Sequence, residues 1–267
     1  MMKMILKDIK EYVKLLKRTF MYRISLLPEP PKLAIIQVGN NEASNRYVRN
    51  KVKDCKEVGI IAHIYDYPST ITEFELINEL CHLQEFYDGV IVQLPLPPHI
   101  CQEVATAAID VGKDVDGFRS DSKFNPATPK GIMDYLKYCE FDVDGKLVVV
   151  IGRSDIVGKP VAKLLLEENA TVVMCHSHTE EDDLDALIGL ADLIIVAVGK
   201  EEFLDCGRVD CPVIDVGINF DKSGKLVGDC FNKEGRDATP VPGGVGLLTR
   251  CALLDNVIKA KESENNA

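Results

Sequence analysis

Tyr47 and Lys51 stand four residues apart in Ser44-Asn45-Arg46-Tyr47-Val48-Arg49-Asn50-Lys51, a spacing that puts a phenol and an ammonium on one helix face. A phenol beside an ammonium can lower the pKa of either group and form a proton-transfer pair. On its own a helical lysine is an ordinary solvated residue, so other groups must point to the same place. Val90-Ile91-Val92 ends in Gln93-Leu94-Pro95-Leu96-Pro97, where the Gln93 amide can hold Lys51 or a substrate amide. Lys113-Asp114-Val115-Asp116-Gly117-Phe118 adds two carboxylates, either of which could bind a heterocycle with adjacent N–H donors. The plainer reading of that segment is an aspartate turn before Gly117.

A second group of residues suits a phosphate. Leu147-Val148-Val149-Val150-Ile151 runs into Gly152-Arg153-Ser154-Asp155-Ile156-Val157-Gly158-Lys159-Pro160. A glycine at a strand exit lets the backbone turn and approach a ligand, and the following helix N-terminus offers unpaired N–H groups. Pro160 suits that first turn. The spacing approximates the dinucleotide fingerprint GxGxxG, with Ser154 at the second glycine position. The next strand ends Val173-Met174-Cys175-His176-Ser177, with no carboxylate to bond a ribose 2′-hydroxyl. Arg153 and Ser177 can instead receive a 2′-phosphate, which favours NADP over NAD. Cys175, His176 and His178 have zinc-ligand chemistry, but no second ligand pair sits at a useful spacing, so no metal is expected. Toward the end, Thr239-Pro240-Val241-Pro242-Gly243-Gly244-Val245-Gly246 is stiff at its prolines and bare at its glycines, open to a flat ligand or simply a loop before the last helix.

These groups need strands and helices behind them. Apolar runs predict strands at 33–38, 61–65 and 90–92, separated by helices at about 43–58 and 72–84. This β-α-β-α-β order implies a parallel sheet covered by helices, with ligands beyond the carboxyl ends of its strands. A turn-rich stretch from Pro95 to Pro129 follows. A second series gives strands at 147–151, 171–174, 193–198 and 213–216, with helices at about 158–168 and 184–190 and a last one at about 246–262. Ile5, Ile9, Val13, Leu16 and Phe20 recur at helical spacing, and the end 262–267 is polar. The expected architecture is two open parallel-sheet α/β domains with a cleft between them, the second Rossmann-like. Residues 1–117, completed by a helix over 246–267, form the first, and 118–245 the second.

Composition bounds the partners. The chain has 267 residues, 46% hydrophobic and 27% charged, with a net charge of −11. It is long enough for two ordinary cores and too acidic to bind nucleic acid through a basic face. Its apolar runs are too short to cross a bilayer, and Lys7, Lys10 and Lys14 interrupt any signal-like stretch. Nine cysteines without a CxxC pair suit a reducing compartment, so a cytoplasmic location is expected.

Taken together, the segments Tyr47–Lys51, Val92–Pro97, Lys113–Phe118, Gly152–Pro160, Cys175–Ser177, Ile214-Asp215-Val216-Gly217-Ile218-Asn219 and Pro240–Gly246 make the chain resemble the bifunctional methylenetetrahydrofolate dehydrogenase/methenyltetrahydrofolate cyclohydrolase family. They occur in that family's order and span nearly the whole chain. The resemblance implies NADP-dependent oxidation of 5,10-methylenetetrahydrofolate to the 5,10-methenyl form. Hydrolysis to 10-formyltetrahydrofolate follows at the same folate site, within one-carbon metabolism and purine biosynthesis. It implies Lys51 as the central catalytic group, with Tyr47, Gln93 and Asp116 beside it. Tyr47, Gln93, Leu94, Asp116, Pro242, Gly243 and Gly246 would contact the folate. Gly152, Arg153, Ser154, Ile156, Val157, Gly158, Ser177, Ala197, Gly199 and Ile218 would bind NADP, and the protein would be a homodimer. Ala127 stands where the family usually has Cys, Leu247 where Pro is usual, and Arg119 where His is common. None of these removes a residue just named. On the residues alone, two other readings stay open: an amino-acid or hydroxy-acid dehydrogenase of the same two-domain layout, which leaves Tyr47, Lys51 and Gln93 unexplained, and a catalytically silent nucleotide-binding protein.

Overall fold

A computed structural model describes residues 5–265. Its elements are α1 (Ile9–Ser25), β1 (Lys32–Val38), α2 (Glu42–Val58), β2 (Ile61–Tyr67), α3 (Glu73–Leu83), β3 (Gly89–Val92), α4 (Gln102–Ala107), α5 (Ala127–Tyr138) and β4 (Leu147–Ile151). They continue with α6 (Gly158–Glu167), β5 (Thr171–Cys175), α7 (Glu181–Leu190), β6 (Leu193–Val196), β7 (Leu204–Asp205), β8 (Val213–Asp215), β9 (Asn219–Phe220), β10 (Leu226–Val227), β11 (Cys230–Phe231) and α8 (Val245–Asn265). The chain divides into two compact units. One comprises Lys14–Ala127 with the chain from Arg250 onward; the other comprises the chain up to Val13 with Thr128–Thr249. The unit boundaries therefore fall inside α1, at the first residue of α5 and inside α8.

The first of these units is built on a parallel sheet in the order β2-β1-β3. β1 beyond Lys32 and all of β3 are almost continuously apolar and buried, as strands covered on both faces must be. Ala34, Ile36, Val90 and Val92 pack with Leu76 and Leu80 of α3 and with Ile100, Ala105 and Ile109. An isolated parallel bridge between Val90 and Asp114 carries the 113–117 segment along β3. The other unit has the parallel order β5-β4-β6-β8, with Val149, Ile151, Ile194, Val196 and Val213 in its core. Two short pairs, β9 with β10 and β7 with β11, stand apart from that sheet.

The main strands and helices lie where the apolar periodicity puts them, with several differences. Pro95–Pro129 is not turns throughout. It contains the six-residue α4 and the start of the twelve-residue α5. Pro129 falls in the first turn of α5, where a missing N–H costs no helical bond, so it does not break the helix. The expected helix from Ile5 starts at Ile9, because the Ile5 and Leu6 amides donate instead to Asp237 at 2.7 and 3.0 Å. α8 extends to Asn265 through the polar end, where Arg23 pairs with Glu262 at 2.7 Å. Residues 1–4 and 266–267 lie outside the described residues.

Candidate active site

α2 is defined at both ends. The Asn41 side chain accepts from Ser44 N at 3.0 Å, and Gly59, at φ +97°, closes the helix by donating its N–H to Cys55 O. Between these caps Tyr47, Lys51 and Asp54 follow at spacings of four and three, so they share one face. Lys51 is 5% exposed. Its Nζ lies 5.1 Å from the centroid of the Tyr47 ring and 3.6 Å from Asp116 Oδ2, and among the described residues it makes no hydrogen bond. A buried ammonium held by a ring face and a carboxylate beyond hydrogen-bond distance keeps its donors available, which is costly unless function needs it.

Two neighbouring segments complete this face. At the exit of β3, Gln93 N donates to Ile36 O at 2.8 Å, and Ser44 Oγ of α2 donates to Leu94 O at 3.5 Å. Gln93 Nε2 also donates to Leu94 O, while its Oε1 is buried with no hydrogen-bond partner among the described residues. Asp114 and Asp116 divide the two roles open to that pair. The Asp114 carboxylate accepts from the amides of Gly117, Phe118 and Arg119, the turn-forming role, and burial pushes its carboxyl above the usual range. Asp116 is the carboxylate beside Lys51. Asn256 of α8 donates to Val115 O at 2.9 Å and fixes the backbone between them.

The expectation that Lys51 lowers the Tyr47 pKa fails. Burial pushes the phenol above its usual range, and the negative charge of Asp116 adds to that. The ammonium stands over the ring and not at the hydroxyl, so the two share a cation–π contact and not a proton. Asp54, one turn beyond Lys51, anchors the helix. Lys17 Nζ donates to its Oδ1 at 2.6 Å, and Arg250 Nε lies 3.0 Å from its Oδ2 as an ion pair without a hydrogen bond.

In the other unit, Gly152 leaves β4 at φ +118°, a conformation that disfavours side chains. A Cβ there would lie 2.2 Å from Ala197 O, and one on Gly158 would lie 2.2 Å from Gly152 O. The β4–α6 turn is therefore packed backbone on backbone. Val157, the N-cap of α6, makes no side-chain capping bond, while Ser154 ties the turn by accepting the Gly158 and Lys159 amides at 3.3 and 3.1 Å. β4 and β6 leave the sheet where the strand order reverses, which is where open α/β sheets bind ligands. A turn this bare at this position fits a dinucleotide pyrophosphate, with Ser154 on the first helical amides where the phosphate would approach. Arg153, Ser154 and Ile156 are exposed on the turn, and Ser177 is exposed beyond β5. Cys175 is buried at the end of β5, whereas the rings of His176 and His178 lie 6.0 Å apart at 72°. Among the described residues no group of three or more His, Cys, Asp or Glu is arranged to hold a metal ion.

Two family models cover most of the chain: the tetrahydrofolate dehydrogenase/cyclohydrolase catalytic domain over residues 1–116 and the NAD(P)-binding domain of the same enzymes over residues 126–265. The chain belongs to the tetrahydrofolate dehydrogenase/cyclohydrolase family. The Bifunctional protein FolD of Agathobacter rectalis is 45% identical over 245 residues, 85% of this chain and 87% of that protein. Among solved structures, the bifunctional FolD methylenetetrahydrofolate dehydrogenase/cyclohydrolase of Campylobacter jejuni superposes with a TM-score of 0.91 at 39% identity, over 96% of this chain and 98% of that one. The Trypanosoma brucei N5,N10-methylenetetrahydrofolate dehydrogenase-cyclohydrolase, complexed with NADP cofactor and inhibitor, gives 0.92 at 31% identity, over 98% of each chain.

Tyr47, Lys51 and Asp116 come together, and Gln93 and Leu94 are tied to the same helix. Pro242, Gly243 and Gly246 belong to the other unit, in the loop and first turn leading into α8. Ala197, Gly199 and Ile218 lie beyond β6 and β8. Sequence reasoning missed the buried carboxylates Asp215 and Asp229 that organise those last loops. For Asp215 the signal was present: an aspartate inside the apolar run Val213-Ile214-Asp215-Val216 must find partners if the run is a buried strand.

Proposed function

We propose that the chain oxidises 5,10-methylenetetrahydrofolate to the 5,10-methenyl form with NADP+ and hydrolyses that product to 10-formyltetrahydrofolate, in one-carbon metabolism. Membership of the family supports both reactions. The observation that carries the site is the buried Lys51 ammonium, with free donors, between the Tyr47 ring and Asp116.

In hydrolysis, water forms a C–O bond at the cationic bridge carbon and loses both its protons, one to solvent and one to N5, as the bond from that carbon to N5 breaks and the formyl C=O forms. Lys51 is assigned the proton transfer. Asp116 offsets the repulsion between the ammonium and a cationic substrate, and binds the pterin N–H edge. Gln93 Oε1, buried and unpartnered, accepts from Lys51 or from the substrate. Tyr47 keeps its proton and positions the folate through its ring. Leu94, Pro242, Gly243 and Gly246 are assigned to the folate surface. When bound, NADP+ supplies the hydride acceptor. Gly152, Ser154, Ile156, Val157 and Gly158 would hold its pyrophosphate, Arg153 and Ser177 its 2′-phosphate, and Ala197, Gly199 and Ile218 the remainder. The folate role goes to residues 1–117 with the helix from 246, the NADP role to 118–245.

A homodimer is the proposed assembly. β2 is an edge strand, and Ile61 and Ile64 on it are each 39% exposed, which suits pairing with a second copy. A cytoplasmic location is proposed because all nine cysteines are free; among the described residues no helix is long and apolar enough to cross a membrane. One assay tests the activity. Mixing the protein with methylenetetrahydrofolate and NADP+ should produce the methenyl chromophore and then its decay; no chromophore would refute the dehydrogenase, and a persistent one the cyclohydrolase.

A further inference from the structure

Two carboxylates are sealed inside the unit that contains β4, both at 0% exposure. Asp215 has a cation: Lys233 Nζ lies 2.5 Å from its Oδ2, and the amides of Gly217, Asp229 and Cys230 donate to its two oxygens. Asp229 has no cation among the described residues. Its partners are Val198 N at 2.8 Å and Gly199 N at 3.0 Å on Oδ2, with Lys200 N and Asn219 Nδ2, each at 2.8 Å, on Oδ1. Three consecutive backbone amides converging on one anion make a nest, filled here by the protein's own side chain.

The place of this nest in the fold gives it a use. Val198–Lys200 is the turn leaving β6, and Asn219 follows Ile218 beyond β8. The sheet order β5-β4-β6-β8 is linear. A dinucleotide with its 2′-phosphate at the end of β5 and its pyrophosphate at the β4–α6 turn must extend its nicotinamide toward the exits of β6 and β8. Asp229 binds both of those exits at once. A Cβ on Gly217 would lie 2.2 Å from Asp229 Oδ1, so the chain passes directly against this carboxylate. The Asp229 amide donates to Asp215, which ties the carboxylate's own backbone in place.

We propose that Asp229 is a positioning residue for the dinucleotide: by gripping Val198–Lys200 and Asn219 together, it preforms the wall against which the nicotinamide half seats. The inference rests on the NADP role given above to this unit. A preformed wall spares the ordering cost that a loose loop would pay on binding.

The test uses Asp229→Asn, which keeps size but turns one acceptor oxygen into a donor facing N–H groups, and Asn219→Ala, which removes a single leg. The readouts are NADP+ affinity by titration calorimetry, hydrogen exchange at the 198–200 amides, and methenyltetrahydrofolate hydrolysis without dinucleotide. For Asp229→Asn, exchange at 198–200 should accelerate and the NADP+ Kd rise about tenfold or more, while hydrolysis stays within about twofold. For Asn219→Ala the Kd should rise about threefold with hydrolysis likewise kept. An unchanged Kd in Asp229→Asn overturns the proposal, whether or not the amides exchange faster. If Asp229→Asn fails to fold, Asn219→Ala decides, and an unchanged Kd there overturns it. A parent protein that binds no NADP+ sinks the functional reading and this proposal with it. A parent that binds, beside variants that bind equally well, sinks this proposal alone.

Discussion

The α2 face and the loops beyond β6 and β8 treat buried charge in opposite ways. At α2, the Lys51 ammonium makes no hydrogen bond among the described residues, and Gln93 Oε1 lacks a partner. At Asp229, both carboxylate oxygens are saturated by N–H donors. Unmet hydrogen-bonding capacity in a buried place costs stability, so a fold keeps it where a ligand or a reacting group uses it. Saturated capacity does the reverse: it spends a charge on holding backbone still. On the proposed assignments, Lys51 acts on a substrate and Asp229 shapes a wall.

Substitutions can break or sharpen this contrast. The largest stability effect falls on the anchor of the α2 face. Asp54→Ala leaves Lys17 and Arg250 without their shared carboxylate, and a loss of about 3 kcal/mol is expected by urea unfolding, as for a broken buried pair. A change under about 1 kcal/mol would mean that the helix is not held there, as for an exposed pair. Next comes the β4–α6 turn. Gly152→Ala places a Cβ against Ala197 O at a left-handed φ, for an expected cost of about 2–3 kcal/mol together with weakened NADP+ binding. Parent-like stability and affinity would show that the turn is slack. Arg153→Ala should lower the NADP/NAD ratio of kcat/KM about tenfold through loss of a charge-assisted bond. An unaltered ratio would remove the 2′-phosphate assignment. The smallest change is expected from Tyr47→Phe. Burial and Asp116 hold the phenol proton on well above neutral pH. Its removal should therefore leave every inflection of the hydrolysis pH profile between about pH 6 and 9 in place and lower the rate only a few-fold. A lost inflection would restore the phenol as a proton carrier.

The sequence reveals these two regions to different depths. The buried runs of β1, β3, β4 and β6 and the glycine exit at Gly152 are visible because period and residue type are local. The Tyr47–Lys51 spacing is visible for the same reason. The pKa of Tyr47 is not, because it depends on burial and on Asp116, sixty-nine positions away in the sequence. α5 was hidden because it begins inside the proline-rich stretch that ends at Pro129, and Pro129 itself lies in its first helical turn. Asp229 was hidden because its donors come from two separate loops, and no spacing announces a carboxylate shared across them.

The account depends most on the buried amine of α2. Methenyltetrahydrofolate hydrolysis by Lys51→Met, followed by loss of the methenyl absorbance and normalised to protein of parent-like thermal midpoint and NADP+ affinity, tests it directly. Hydrolysis slower by about 10³-fold is the predicted result. A rate within about tenfold of the parent would contradict the role given to Lys51.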